Sequence, residues 1–243
     1  MRISGPRDMA DAFGANDLSA VRTERVGREQ NPVIVIDDFL SNPDALVSFA
    51  ASQAHFAPPA NWYPGLRAQP LPQAYVMEVI RALHVVVGET FDLPTQGNVD
   101  TNAYFGLATA QPDALSIVQR LPHFDAPNIR QIAVLHYLCE ASQGGTSFYR
   151  HRATGYESIG EARQRAYFDC LKQELTALGP PQARYMSGDD ERYEEVGRFD
   201  AKFNRAIVYR SCVLHSANVN PALGLSADPR AGRLTANVFL AYR

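Results

Sequence analysis

Two kinds of hydrophobic spacing occur along this chain, and they divide it into a part with helices and a strand-rich remainder. Val33 to Leu40 (VIVIDDFL) is β-branched and apolar enough for a buried strand. Ser41, Asn42 and Pro43 follow as a helix start, with proline near the first helical position. Ala45, Leu46, Phe49 and Ala50 then recur at helical spacing. From Gln73 to Phe91, the positions of Val76, Val79, Ile80, Leu83 and Val87 predict an amphipathic helix that backs a sheet. After Gly97 the texture changes to short β-rich runs: NAYFGLAT, ALSIVQR, RQIAVLHYL, TSFYRHR, NRAIVYRSCVLH and RLTANVFLAYR. One helix interrupts them within Glu157 to Leu178, read from Ala166, Cys170, Leu171 and Leu175 and stopped by Gly179-Pro180-Pro181. The pattern predicts a mainly β fold with flanking helices, a sandwich or jelly roll.

Two segments lack either period. Residues 1 to about 31 are polar and mixed, which predicts a loose arm or a surface wrap. FAPPANWYPGLRAQPLP, from Phe56 to Pro72, packs five prolines around Trp62, Tyr63 and Arg67. It is expected to be a shaped loop, either covering a core edge or contacting substrate. Asn61 to Arg67 and the acidic segment Asp189 to Glu195 are candidate walls of a binding site. No internal repeat is visible, and 243 residues suit a single domain over 1–243.

Composition narrows the function classes. The net charge is −3, from 23 basic and 26 acidic residues. No basic run is present, so nucleic acid is not the expected partner. No stretch approaches the ~20 apolar residues of a membrane span, and the N-terminal residues carry no signal-peptide core, so the expected location is cytoplasmic. Cys139, Cys170 and Cys212 are scattered without CxxC spacing, which predicts ordinary reduced core residues rather than a disulfide framework or zinc knot.

The candidate chemistry lies in four polar residues: His123 and Asp125 in LPHFDAP, His215 in VLHSANV, and Arg233 in GRLTANVFL. Two imidazoles and one carboxylate on one side of a small cation leave positions open for substrate and dioxygen, the facial arrangement of non-heme ferrous oxygenases. An arginine fork nearby can grip a dicarboxylate. Six histidines in 243 residues make a lone His-x-Asp pair weak evidence. In an extended segment, however, positions i and i+2 share a face, so His123 and Asp125 can reach one ion. Pro122 and Pro127 stiffen the segment between them. Arg233, Thr235 and Asn237 alternate with Leu234, Ala236 and Val238, as expected of a strand whose polar face lines a pocket. Arg230, the substitute for Arg233, lies earlier, before Gly232. His84, His136 and His151 are expected to be packed, surface or hydrogen-bonded neighbours rather than ligands.

The stretch from His123 to His151 resembles that of prolyl-4-hydroxylase-like oxygenases, members of the iron and 2-oxoglutarate-dependent superfamily. The matching features are the His-x-Asp, Arg130, a strand ending in Tyr137-Leu138, and the turn Gly144-Gly145-Thr146-Ser147-Phe148. The segments around His215 and Arg233 resemble the distal-histidine and co-substrate-arginine strands of the same superfamily, with a longer intervening loop, NPALGLSADPRAG. The resemblance implies a double-stranded β-helix (jelly roll) that uses Fe(II), 2-oxoglutarate and dioxygen to hydroxylate an unactivated C–H bond. It implies iron on His123, Asp125 and His215, and co-substrate on Arg233, Tyr137 and Thr235. The expected partner is a small-molecule, amino-acid or peptide substrate, with the enzyme acting alone or as a homodimer. The alternative is a jelly roll that binds without catalysis.

Overall fold

The computed structural model describes residues 13–18, 21–94 and 96–243. Its strands in chain order are β1 (Arg22–Val26), β2 (Asn31–Ile36), β3 (Gly65–Ala68), β4 (Val99–Ala108), β5 (Gln131–Tyr137), β6 (Gly144–His151), β7 (Tyr193–Phe199), β8 (Arg205–Arg210), β9 (His215–Val219) and β10 (Leu234–Tyr242). Among the described residues three α-helices accompany them: α1 (Pro43–Ser52), α2 (Gln73–Phe91) and α3 (Glu161–Leu178). A seven-stranded antiparallel sheet runs β1-β2-β8-β5-β10-β4-β3, and a three-stranded sheet runs β7-β6-β9. A bridge between His123 and His215 adds a fourth short segment beside β9. The chain crosses repeatedly between the sheets: β4, β5, β8 and β10 lie in the large one, the His123 segment, β6, β7 and β9 in the small one. This is the jelly roll, or double-stranded β-helix.

Strand alternation sorts the side chains into two layers of core. On β10, Leu234, Ala236, Val238 and Leu240 turn toward the helices, where they pack with Tyr75, Val79, Leu83, Val87 and Phe91 of α2. Those five residues recur every fourth position and are essentially inaccessible, so α2 covers the outer face of the large sheet. On β5, Ala133, Leu135 and Tyr137 point the other way, into the layer between the sheets. Asn42 caps α1, its side chain accepting from the Ala45 amide at 3.2 Å, with Pro43 in the first turn.

Four sequence expectations are corrected. ALSIVQR forms no strand: Pro112–Ala114 and Ile117–Arg120 are 3-10 turns, because Ser116 and Gln119 close a capping box that outcompetes strand pairing. β7 falls in an acidic segment whose alternation was hidden by Glu194 and Glu195, which pair with Arg150 at 2.5 Å and with Arg198 at 2.9 Å. The proline-rich segment contains β3, an edge strand on β4. Of α3 only Tyr167 is buried, its hydroxyl 2.8 Å from that of Tyr193, and Ala166 is exposed.

The arm expected over 1–31 is also different where it is described. Phe13 is buried in the core, and β1 pairs with β2. The hairpin turn is held by Glu157, whose carboxylate accepts from the Arg28 and Glu29 amides at 2.9 Å each. Gly27 has φ 68°, and a Cβ there would lie 2.0 Å from the Glu157 Oε2, so glycine is required. Residues 1–12, 19 and 20 lie outside the described residues. No helix among the described residues is long and apolar enough to cross a membrane. Cys139, Cys170 and Cys212 are free thiols.

Candidate metal centre

His123 and His215 are held by the main chain: each donates its backbone N–H to the other's carbonyl at 2.8 Å. The Asp125 amide donates to the Ser211 carbonyl at 2.8 Å, which fixes the segment one residue past Phe124. Phe124 turns away, against Tyr167 and Phe168 of α3, so His123 and Asp125 share the opposite face as extended geometry demands. The Asp125 oxygens lie 3.8 Å from His123 Nε2 and 3.6 Å from His215 Nε2. One ligand atom from each of the three falls within 4.8 Å of the others. His215 Nδ1 sits 2.9 Å from the Val213 carbonyl, which only accepts, so Nδ1 carries the proton and Nε2 keeps its lone pair.

The electrostatics are those of a cation site. Desolvation, then the neighbouring His215 and Arg67, push His123 well below the usual imidazole value, which keeps it neutral and able to ligate. Its side chain is 55% accessible, and that accessibility opens onto a cavity. Desolvation raises Asp125 against the opposing influence of His215 and Arg67. A divalent ion would hold that carboxylate ionised. Two imidazoles and one carboxylate at these separations suit a single divalent ion.

The triad opens on a cavity of about 400 Å³ between the two sheets. Three of its lining residues carry buried donors with no hydrogen-bond partner among the described residues: the Tyr63 hydroxyl, Arg67 Nε and Arg233 Nε. An unmatched buried donor costs about 1–3 kcal/mol, so three of them facing one space define a site for a ligand rich in acceptors. Arg233 is 3% exposed and anchored by a bond from its guanidinium to the Gly145 carbonyl at 2.8 Å. The sheet register explains the grouping. Arg67 of β3 faces Gly106 of β4, which faces Thr235 of β10, so three strands present one row to the cavity. Gly106 leaves the room that Tyr63 fills: a Cβ there would meet the Tyr63 hydroxyl at 2.7 Å.

The remaining candidates are placed as follows. Thr235 lines the cavity, 1% exposed. Arg230 is exposed in the preceding turn and does not line it. Tyr137 lies behind the wall: its hydroxyl donates to Thr146 Oγ1 at 2.7 Å, Thr146 lines the cavity, and the Arg233 guanidinium sits 5.7 Å from the Tyr137 ring. Tyr63 lines the cavity directly, and the signal for it was its position in the proline-rich aromatic loop. Asn61, Trp62, Tyr63, Pro64 and Arg67 all form cavity wall, whereas Asp189 to Glu195 do not and Asp189 pairs instead with Arg152 at 2.7 Å. His136 bonds Tyr75 and Asn204, each at 3.2 Å, in the core. His151 is buried with both ring nitrogens engaged, by Thr154 at 2.9 Å and Glu174 at 2.6 Å. Cys170 completes a second three-residue cluster there. His84 is exposed on α2.

The fold and site together define a jelly roll with a His-Asp-His set at the mouth of a cavity lined by buried guanidinium groups. The chain belongs to the family of unknown function DUF6445, whose model matches residues 18–240. No curated protein matches the sequence. Among solved structures, the chain is similar to HygX from Streptomyces hygroscopicus with nickel, 2-oxoglutarate and hygromycin B bound, at 12% identity and a TM-score of 0.46 over 89% of this chain and 87% of that one. It is similar to EvdO2 from Micromonospora carbonacea var. aurantiaca complexed with 2-oxoglutarate, at 11% identity and a TM-score of 0.41 over 89% and 92%. AviO1 from Streptomyces viridochromogenes Tue57 gives 12% identity and 0.40 over 82% and 80%.

Proposed function

We propose that this chain is a non-heme iron, 2-oxoglutarate-dependent dioxygenase that hydroxylates an unactivated C–H bond of a small-molecule, amino-acid or peptide substrate. One observation carries the reading: two imidazoles and a carboxylate converge on a cavity whose wall holds the buried Arg233 guanidinium with an unpaired Nε, which suits a dicarboxylate. The finer resemblance to prolyl-4-hydroxylase-like enzymes belongs to the same reading and rests on residues 123–151.

His123, Asp125 and His215 would hold the ion, with the His215 tautomer set by the Val213 carbonyl. Arg233 would hold the far carboxylate of 2-oxoglutarate, with Tyr63 and Thr235 beside it. Iron with 2-oxoglutarate and dioxygen, when bound, supplies the oxidising chemistry that the side chains cannot. The chain's own share is orientation and the exclusion of water. Leu121, Tyr104 and Phe239 give the cavity apolar walls, so the co-substrate carboxylate meets Arg233 in a medium where a charge-assisted bond is strong.

Anaerobic protein supplied with ferrous iron and 2-oxoglutarate tests this directly. The expected result is a weak charge-transfer band in the visible range and, on admitting air, succinate, both absent in His123→Ala. Succinate at the normal rate from that variant would end the assignment. Absence of both signals from the native protein would leave a jelly roll that binds without catalysis.

A further inference from the structure

Arg67, half-buried in the cavity wall, is a cation that the proposed iron and co-substrate do not use. Its guanidinium carbon lies 3.9 Å from the centre of the Tyr104 ring and 4.7 Å from that of Tyr63. Among the described residues no carboxylate pairs with it, and its Nε is buried without a partner. With two aromatic rings this close, the terminal N–H groups of the guanidinium are the ones left to bind a carboxylate, a pairing that can form two parallel bonds. A β3 position puts it one strand outside Gly106 and two outside Thr235, roughly 10 Å of sheet from the Arg233 end of β10.

Charge balance then singles Arg67 out. Within the proposed reading, a divalent ion, Asp125, the two carboxylates of 2-oxoglutarate and Arg233 sum to neutrality. Arg67 leaves one positive charge in the cavity with no counter-ion, and such a charge in a partly desolvated site costs energy until an anion arrives. Trp62 and Val118, 72% and 45% exposed, give the same cavity an accessible apolar lining beside the polar Asn61 and Gln119. We propose that Arg67 is the specificity residue for the substrate, which is a small molecule carrying one anionic group, held by the guanidinium edge, and an apolar body seated against Trp62 and Val118. This inference rests on the oxygenase reading for the role of the site, but the anion preference itself can be measured without turnover.

Trp62 is the single tryptophan of the chain and lies in the cavity wall, so its fluorescence reports occupancy. The probes are cyclohexanecarboxylate and its neutral isostere cyclohexanecarboxamide, titrated into protein holding manganese(II) and 2-oxoglutarate, and again into protein with neither. The acid is expected to bind at least about tenfold more tightly than the amide, the ratio one charge-assisted bond supplies. Arg67→Gln is expected to erase the preference and Arg67→Lys to keep part of it, both leaving 2-oxoglutarate affinity, read by calorimetry, within about twofold of native. Equal binding of acid and amide, or no saturable binding of either, overturns the proposal. So does a loss of 2-oxoglutarate affinity in Arg67→Gln equal to that in Arg233→Gln, which would make Arg67 a co-substrate residue. If instead 2-oxoglutarate fails to bind the native protein while the acid preference persists in the metal-free titration, the oxygenase reading fails and the anion site stands.

Discussion

His123 and His215 exchange two backbone hydrogen bonds of 2.8 Å, and this pairing alone sets their imidazole rings 4.4 Å apart. The main chain at this sheet edge places both rings, so replacing either imidazole should remove metal binding and not the fold. His215→Ala and His123→Ala are expected to show no manganese(II) binding by calorimetry while keeping native circular dichroism. Tight binding in His215→Ala would detach that residue from the centre.

Gly106 is the opening through which Tyr63 reaches the cavity. Gly106→Ala would place a methyl group 2.7 Å from the Tyr63 hydroxyl and 3.2 Å from Thr235 Oγ1. Overpacking of this kind costs about 1–3 kcal/mol, here spent on moving Tyr63. The variant is expected to bind 2-oxoglutarate more weakly with only a small fall in melting temperature. Unchanged affinity would mean that the Tyr63 hydroxyl makes no contact with co-substrate.

Tyr63→Phe and Tyr137→Phe separate the two hydroxyls by what each one touches. The first removes a donor that faces the cavity unpaired, so it should weaken 2-oxoglutarate binding by about 0.5–1.5 kcal/mol and leave stability unchanged or raised. The second strands Thr146 in the core and should lower unfolding free energy by about 1–3 kcal/mol with little effect on binding. Arg233→Gln is expected to cost about 1.5–3 kcal/mol of 2-oxoglutarate affinity, with Arg230→Gln neutral. Calorimetry and urea denaturation on the set read both axes, and a swapped pattern would restore Tyr137 to the site.

His136 makes stability depend on pH. It is wholly buried on β5, and desolvation pulls its pKa down to about 4, against a raising contribution from its bond to Asn204. The unfolded chain takes up this proton near pH 6.5 while the folded chain does not until about pH 4. Stability attributable to the group is therefore complete above 6.5 and falls as pH drops through the window between, by about 3 kcal/mol in all. Urea midpoints of the native protein and His136→Gln, compared at pH 7 and 4.5, should differ in slope, the variant being flatter. Identical slopes would show that His136 is protonated while folded.

Legibility differed by element, for identifiable reasons. α2 was readable to the residue because a 3.6-residue period over five turns has no competing interpretation. The strands at β5, β6, β8 and β10 were readable because both their faces are buried and their side chains are correspondingly apolar. β7 was not, since an edge strand paired on one side tolerates Glu194, Glu195 and Arg198 facing outward. ALSIVQR misled in the opposite direction: its composition is strand-like, and a local Ser116–Gln119 hydrogen bond decides its shape.

The amino-acid order by itself determined the fold class, since alternation and helical period specify which faces must be buried. It also brought forward His123, Asp125, His215, Arg233 and Thr235, through residue type and strand phase, as candidates for one site. Only tertiary structure decided that Tyr63 and not Tyr137 turns its hydroxyl to the cavity, and that Arg67 shares a row with Thr235. Both depend on which strands become neighbours, and the register of β3 on β4 is set by contacts between residues some forty positions apart. No local pattern in the chain encodes a distance of that kind.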